Sequence, residues 1–140
     1  MKLLDRNELL KKEDLQVVEV DLGKSESVHV RQMTGHEREA FERMLTKKVK
    51  KPGNKYDYEE SLGDFRAKLA VCTICNKEGE LVLQMGDFTT LSHNMSAARL
   101  TKIADEAGKL NGITPEDKEE LVKNSDSDQD VASSSDSAKN

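Results

Sequence analysis

The chain has 140 residues, a formal net charge of -5, 35% charged and only 4% aromatic residues, and no Trp. That suits one domain plus a tail, with a thin core built from Leu, Val, Met and Ala, so its stability is expected to lean on a partner or on self-association. The acidic balance argues against a whole-protein nucleic-acid binder, which draws much of its affinity from neutralising phosphates. No apolar run approaches the roughly 18 residues of a membrane span. The opening MKLLDRNELLKKED lacks an apolar core of signal-peptide length. A cytoplasmic protein is expected, with its two cysteines reduced.

Asp5 opens a short polar helix whose apolar residues are Leu9 and Leu10, with Lys11 and Lys12 at the end that favours cations. From residue 16 to 22, Val18, Val20 and Leu22 alternate with Glu19 and Asp21, the period of a half-buried strand. Gly23-Lys24-Ser25-Glu26 is a turn, and Val28 and Val30 alternate with His29 and Arg31 on a returning strand. Thr34 with Glu37 three residues on is a capping box. It predicts a helix with Phe41, Met44, Leu45 and Val49 on its apolar side, ended by Pro52-Gly53-Asn54.

A second helix is predicted from near Asp57, since Leu62, Phe65, Leu69 and Cys72 form one stripe; Gly63 is an alternative start. A turn at Asn76 to Gly79 leads to an extended Leu81-Val82-Leu83. One or two helical turns follow from Asp87 to Ser92, with Phe88 and Leu91 buried. A longer helix from Met95 carries Leu100, Ile103, Ala107 and Leu110 and stops at Asn111-Gly112. Thr114-Pro115 starts a last short helix with Leu121 and Val122. Residues 125–140 hold six Ser and four Asp. They cannot offset their ordering entropy by burial and are expected to be a disordered, soluble end rather than a phosphorylation target. The expected fold class is α+β, mainly helical: one domain over residues 1–124, with an N-terminal β-hairpin packed on three or more helices.

Candidate chemistry is sparse. Cys72-Thr73-Ile74-Cys75 is a CxxC, which suggests half a zinc site or a redox pair. No second pair supplies the remaining ligands, and the motif closes a helix instead of opening one. The simpler reading is Cys72 in the core and Cys75 near a helix end. Lys47, Lys48, Lys50 and Lys51 read as a solvated helix end, partly cancelled by Asp57, Glu59 and Glu60, rather than as a phosphate-binding run. His29, His36 and His93 have no triad partners, and the glycines are isolated. No catalytic, cofactor-binding or metal residue is expected, and no cofactor. Met33, Met44, Met85 and Met95 suit an adaptable apolar surface, with plain core filling the better reading for at least two.

Two segments carry a resemblance: VRQMTGHEREAFE from Val30 to Glu42, and LNGITPEDKEELVKN from Leu110 to Asn124. With the hairpin before the first, they resemble the tail assembly chaperones of long-tailed bacteriophages and prophages over about residues 1–124. The Ser/Asp tail and the CxxC lie outside the pattern. The resemblance implies a chaperone that binds the aggregation-prone tape measure protein, keeps it soluble, helps recruit tail tube subunits and is absent from the virion. It also implies that many such proteins come in two forms through a ribosomal frameshift; this chain would be the unshifted product. The expected partners are then the tape measure and tail tube proteins, with self-association allowed and neither nucleic acid nor membrane. The alternative is a small phage regulatory or nucleic-acid-associated protein using the lysine run.

Overall fold

In the computed structural model the described residues are 1–51, 55–60 and 64–113; for 46–51 and 55–60 the description is of backbone pairing only. Among the described residues the fold is α+β, a three-stranded antiparallel sheet with five helices and a separate two-stranded ribbon.

The N-terminal hairpin forms as its alternation dictates. β1 (Val17–Gly23) pairs antiparallel with β2 (Glu26–Arg31), setting Val18 opposite Val30 and Val20 opposite Val28. Val20, Leu22 and Val30 are buried, while Glu19 and Asp21 face solvent. The turn holds Lys24 at φ 57° and Ser25 at φ 60°, the left-handed conformation that favours Asn and Gly. Arg99 braces this turn: Nε donates to the Leu22 carbonyl at 3.1 Å, and Nη2 reaches Glu26 at 2.6 Å. β5 (Ile74–Cys75) adds to the far side of β2, which is therefore central.

α2 (Gly35–Arg43) begins at Thr34 with both arms of its capping box in place. It then ends earlier than its apolar spacing predicts. β3 (Thr46–Lys51) and β4 (Lys55–Glu60) form an antiparallel ribbon where the sequence suggests the end of one helix and the start of the next. The reason is local. Thr46, Val49, Tyr56 and Tyr58 are better suited to a pleat than to a helix. The register also sets Lys47 opposite Glu59 and Val49 opposite Asp57, where a helix would crowd four lysines onto two turns. The lysine run is thus on a strand, not a helix end. Pro52-Gly53-Asn54, Leu62 and Gly63 lie outside the described residues.

α3 (Phe65–Val71) is the centre of the core. The stripe of Phe65, Leu69 and Cys72 is buried as predicted, and so are Ala67, Ala70 and Val71, so this helix is enclosed nearly all round. Phe65 meets Phe41 of α2 edge-to-face, with ring centroids 5.7 Å apart. α5 (Ala97–Leu110) starts at Ser96, one residue after Met95, and packs on α3 through Leu100, Ile103, Ala104 and Ala107. Between them a 3-10 turn (Met85–Asp87) runs into α4 (Phe88–Asn94), whose Phe88 and Leu91 are half-buried rather than buried. Leu81 makes a single bridge to Cys75, so only the start of the predicted extended run pairs.

α5 ends as Asn111-Gly112 predicts. Gly112 takes φ 66°, and the Ile113 N–H returns to the Gly108 carbonyl at 2.8 Å, closing a Schellman motif. Gly108 sits close under this turn: a Cβ there would lie 3.0 Å from the Ile113 carbonyl oxygen, a tight contact that the turn would have to relieve by a few tenths of an ångström. The helix predicted from Thr114 and the Ser/Asp tail from Ser125 lie outside the described residues.

Candidate docking groove

The loop between β2 and α2 is fixed from both sides. Arg31 ends β2 and is 6% exposed. Its guanidinium meets the Glu37 carboxylate in a two-pronged pair, Nη1 to Oε1 at 2.8 Å and Nη2 to Oε2 at 2.9 Å. The same carboxylate accepts the Thr34 N–H at 2.9 Å, so Glu37 serves the helix cap and the ion pair together. The Arg31 guanidinium holds the Glu37 carboxyl below the ordinary carboxylate range, helped by the Thr34 backbone and opposed by burial.

From the other side comes Asn111. Its Oδ1 accepts the Met33 N–H at 2.7 Å, and its Nδ2 donates to the Ala107 carbonyl at 2.8 Å. Its own carbonyl accepts from Arg38 Nη1 at 2.9 Å. The segments 30–42 and 110–113 are therefore one hydrogen-bonded junction, although neither holds the other's sequence neighbours.

A groove of about 680 Å³ opens beside this junction. Met33 and Leu110 supply apolar lining from the junction, and Leu9 and Leu15 supply it from the N-terminal arm. Lys11, Lys12, Arg38 and Glu13 are its charged residues. α1 (Arg6–Leu9) forms as Asp5 predicts, with a complete Asp5–Glu8 capping box, yet it buries none of its residues. Leu9 and Leu10 are 65% and 68% exposed, and Leu3 and Leu4 are exposed too. A one-turn helix that buries nothing gains little from its neighbours, since most helical stability comes from packing an apolar face.

A second apolar surface lies around α4. Val82 and Met85 are exposed, next to a groove lined by Leu83, Leu91 and Met95. Of the four methionines after Met1, Met33 and Met95 each line a groove, Met44 packs partly against the core, and Met85 is open to solvent.

Cys72 and Cys75 are both buried free thiols, Cys72 at the end of α3 and Cys75 in β5 rather than at a helix end. Burial pushes the Cys72 thiol up to about 11, and it raises Cys75 as well. Both are then thiols at neutral pH, the form that neither attacks disulfides nor binds metal. Among the described residues no three His, Cys, Asp or Glu side chains gather into a metal-binding group. No helix of the described residues is long and apolar enough to cross a membrane.

Lys68 was not singled out by sequence. It is 3% exposed on α3, with Nζ donating to the Met44 carbonyl at 3.0 Å and lying 5.2 Å from the centroid of the Phe88 ring. Burial lowers its pKa, and nearby Asp64 opposes that. It ties α3 to the end of α2, where a lysine on an apolar stripe gives no warning of its partner. Asn111 was visible only as a helix stop; its reach to Met33 spans too much chain for any local pattern to reveal. No family model, characterised protein or solved structure matches this chain.

Proposed function

We propose that this chain is a tail assembly chaperone of a long-tailed bacteriophage or prophage. It acts in the bacterial cytoplasm by non-covalent binding, without catalysis or cofactor. It binds the tape measure protein, keeps it soluble and helps bring tail tube subunits to it.

One observation carries the reading most. Residues 30–42 of the first segment and 110–113 of the second meet through Met33, Arg38 and Asn111, and they line a groove to which Leu9, Leu15, Met33 and Leu110 give an apolar part, beside an arm of exposed leucines. A chaperone of this kind needs an apolar surface to shield a partner and charge around it for solubility. The groove and arm offer the first, and the 35% charged residues offer the second. The test is co-expression with the tape measure protein encoded beside it. The reading expects that protein in the soluble fraction only when this chain is present. Equal solubility with and without the chain rules the reading out.

A further inference from the structure

We infer that the groove between α1 and the Asn111 junction receives an amphipathic helix whose apolar stripe is flanked by acidic side chains. The inference rests on the chaperone reading for the identity of its natural partner, but its own argument is one of groove chemistry.

On the side of the groove next to β2 and the start of α2, the main-chain donors of Gln16, Gln32, Met33 and Thr34 are already spoken for. Gln32 N–H donates to the Gln16 carbonyl at 3.0 Å, Met33 N–H to Asn111 and Thr34 N–H to Glu37. Even Gln16 N–H is taken, by the Gln32 side chain at 2.8 Å. An added strand draws its affinity from free main-chain groups at an edge, and these four donors have none to give. A helix brings its backbone hydrogen bonds satisfied and needs only apolar contact and charge.

The apolar contact comes from Leu9, Leu15, Met33 and Leu110. The charge is positive. Lys11, Lys12 and Arg38 line the groove against the single acid Glu13. Arg38 is held by Glu42 at 3.2 Å and by the Asn111 carbonyl. Lys11 and Lys12 make no ion pair among the described residues and are exposed. They are cations at an apolar rim in a protein whose net charge is -5. A helix carrying Glu or Asp beside its apolar stripe pairs with them, while one carrying Lys is repelled.

Two synthetic helical peptides of about 18 residues test this, sharing one leucine stripe and flanked either by Glu or by Lys. Each is titrated into the full chain by fluorescence anisotropy. The Glu peptide is expected to bind about ten-fold more tightly than the Lys peptide, and the preference to fade in about 1 M salt. The double variant Lys11→Glu, Lys12→Glu is expected to reverse the preference, and Val82→Ser with Met85→Ser to leave it unchanged. Equal binding of both peptides overturns the proposal, as does an effect confined to the Val82 and Met85 variant. So does sedimentation showing a dimer that the lysine variant dissolves, since the groove would then hold a second copy. If the peptides behave as expected but the tape measure protein is equally soluble without this chain, the chaperone reading fails and the groove assignment stands. If the tape measure protein is kept soluble and the peptide preference is missing, the groove assignment fails alone.

Discussion

The Asn111 side-chain oxygen accepts the backbone N–H of Met33 at 2.7 Å across 78 residues of chain. This contact fastens the end of α5 to the loop that enters α2, and it sits against the groove proposed as the docking site. Asn111→Ala removes that acceptor and leaves the half-buried Met33 N–H and Ala107 carbonyl without their side-chain partner. A loss of about 2 kcal/mol is expected by urea unfolding. A change below half a kilocalorie would show that the junction is not a structural tie.

The Arg31–Glu37 pair predicts acid sensitivity. The Glu37 carboxyl is held below its ordinary range chiefly by the Arg31 guanidinium, so the pair contributes fully above the unfolded glutamate pKa of about 4.3. That contribution is lost as pH falls through the lower folded value. Glu37→Gln should cost on the order of 2 kcal/mol at neutral pH, because Arg31 is then buried without its counter-charge; the figure is discounted for the partial exposure of Glu37. The variant should also flatten the acid limb of a plot of unfolding free energy against pH. An unchanged acid limb would assign that limb to other carboxylates.

The hairpin turn should be improvable. Lys24 and Ser25 both sit at positive φ. Lys24→Asn with Ser25→Gly supplies the pair that this turn favours, and a gain of about 1 kcal/mol is expected from thermal melting. Destabilisation would mean that the turn residues serve another contact.

The thiols should be silent. Cys72 and Cys75 are buried, and the Cys72 thiol is pushed up to about 11. A thiol-exchange dye should label neither in the native protein at neutral pH and both in denaturant. Rapid native labelling would revive a redox or metal reading of the CxxC.

How much of this was legible in the residues depends on the range of the interactions. The β1–β2 hairpin, the Thr34–Glu37 capping box, the helix start at Asp5 and the Asn111-Gly112 stop were readable because each is specified within a few positions. The ribbon of β3 and β4 was not. Val49 continues the helical period of Phe41, Met44 and Leu45 by coincidence, and the pairing of Thr46–Lys51 with Lys55–Glu60 outweighs it. The depth of α3 was also hidden, because Ala67 and Ala70 reveal burial only once α4 and α5 close over them. The groove was the least legible feature. Its lining comes from residue 9 to residue 111, and its hallmark is that Leu9 and Leu10 are left outside a core that could have used them.

Leu9→Ser with Leu10→Ser separates surface from core most cleanly. Exposed residues outside the core should change stability by no more than about 0.5 kcal/mol. The decisive experiment measures the soluble fraction of the tape measure protein co-expressed with the wild-type chain, with the Leu9→Ser, Leu10→Ser variant, or with neither. A chaperone that docks its partner at this arm gives high solubility with the wild type, a marked loss with the equally stable variant, and aggregation with neither. A tape measure protein equally soluble in all three cases would contradict the chaperone reading.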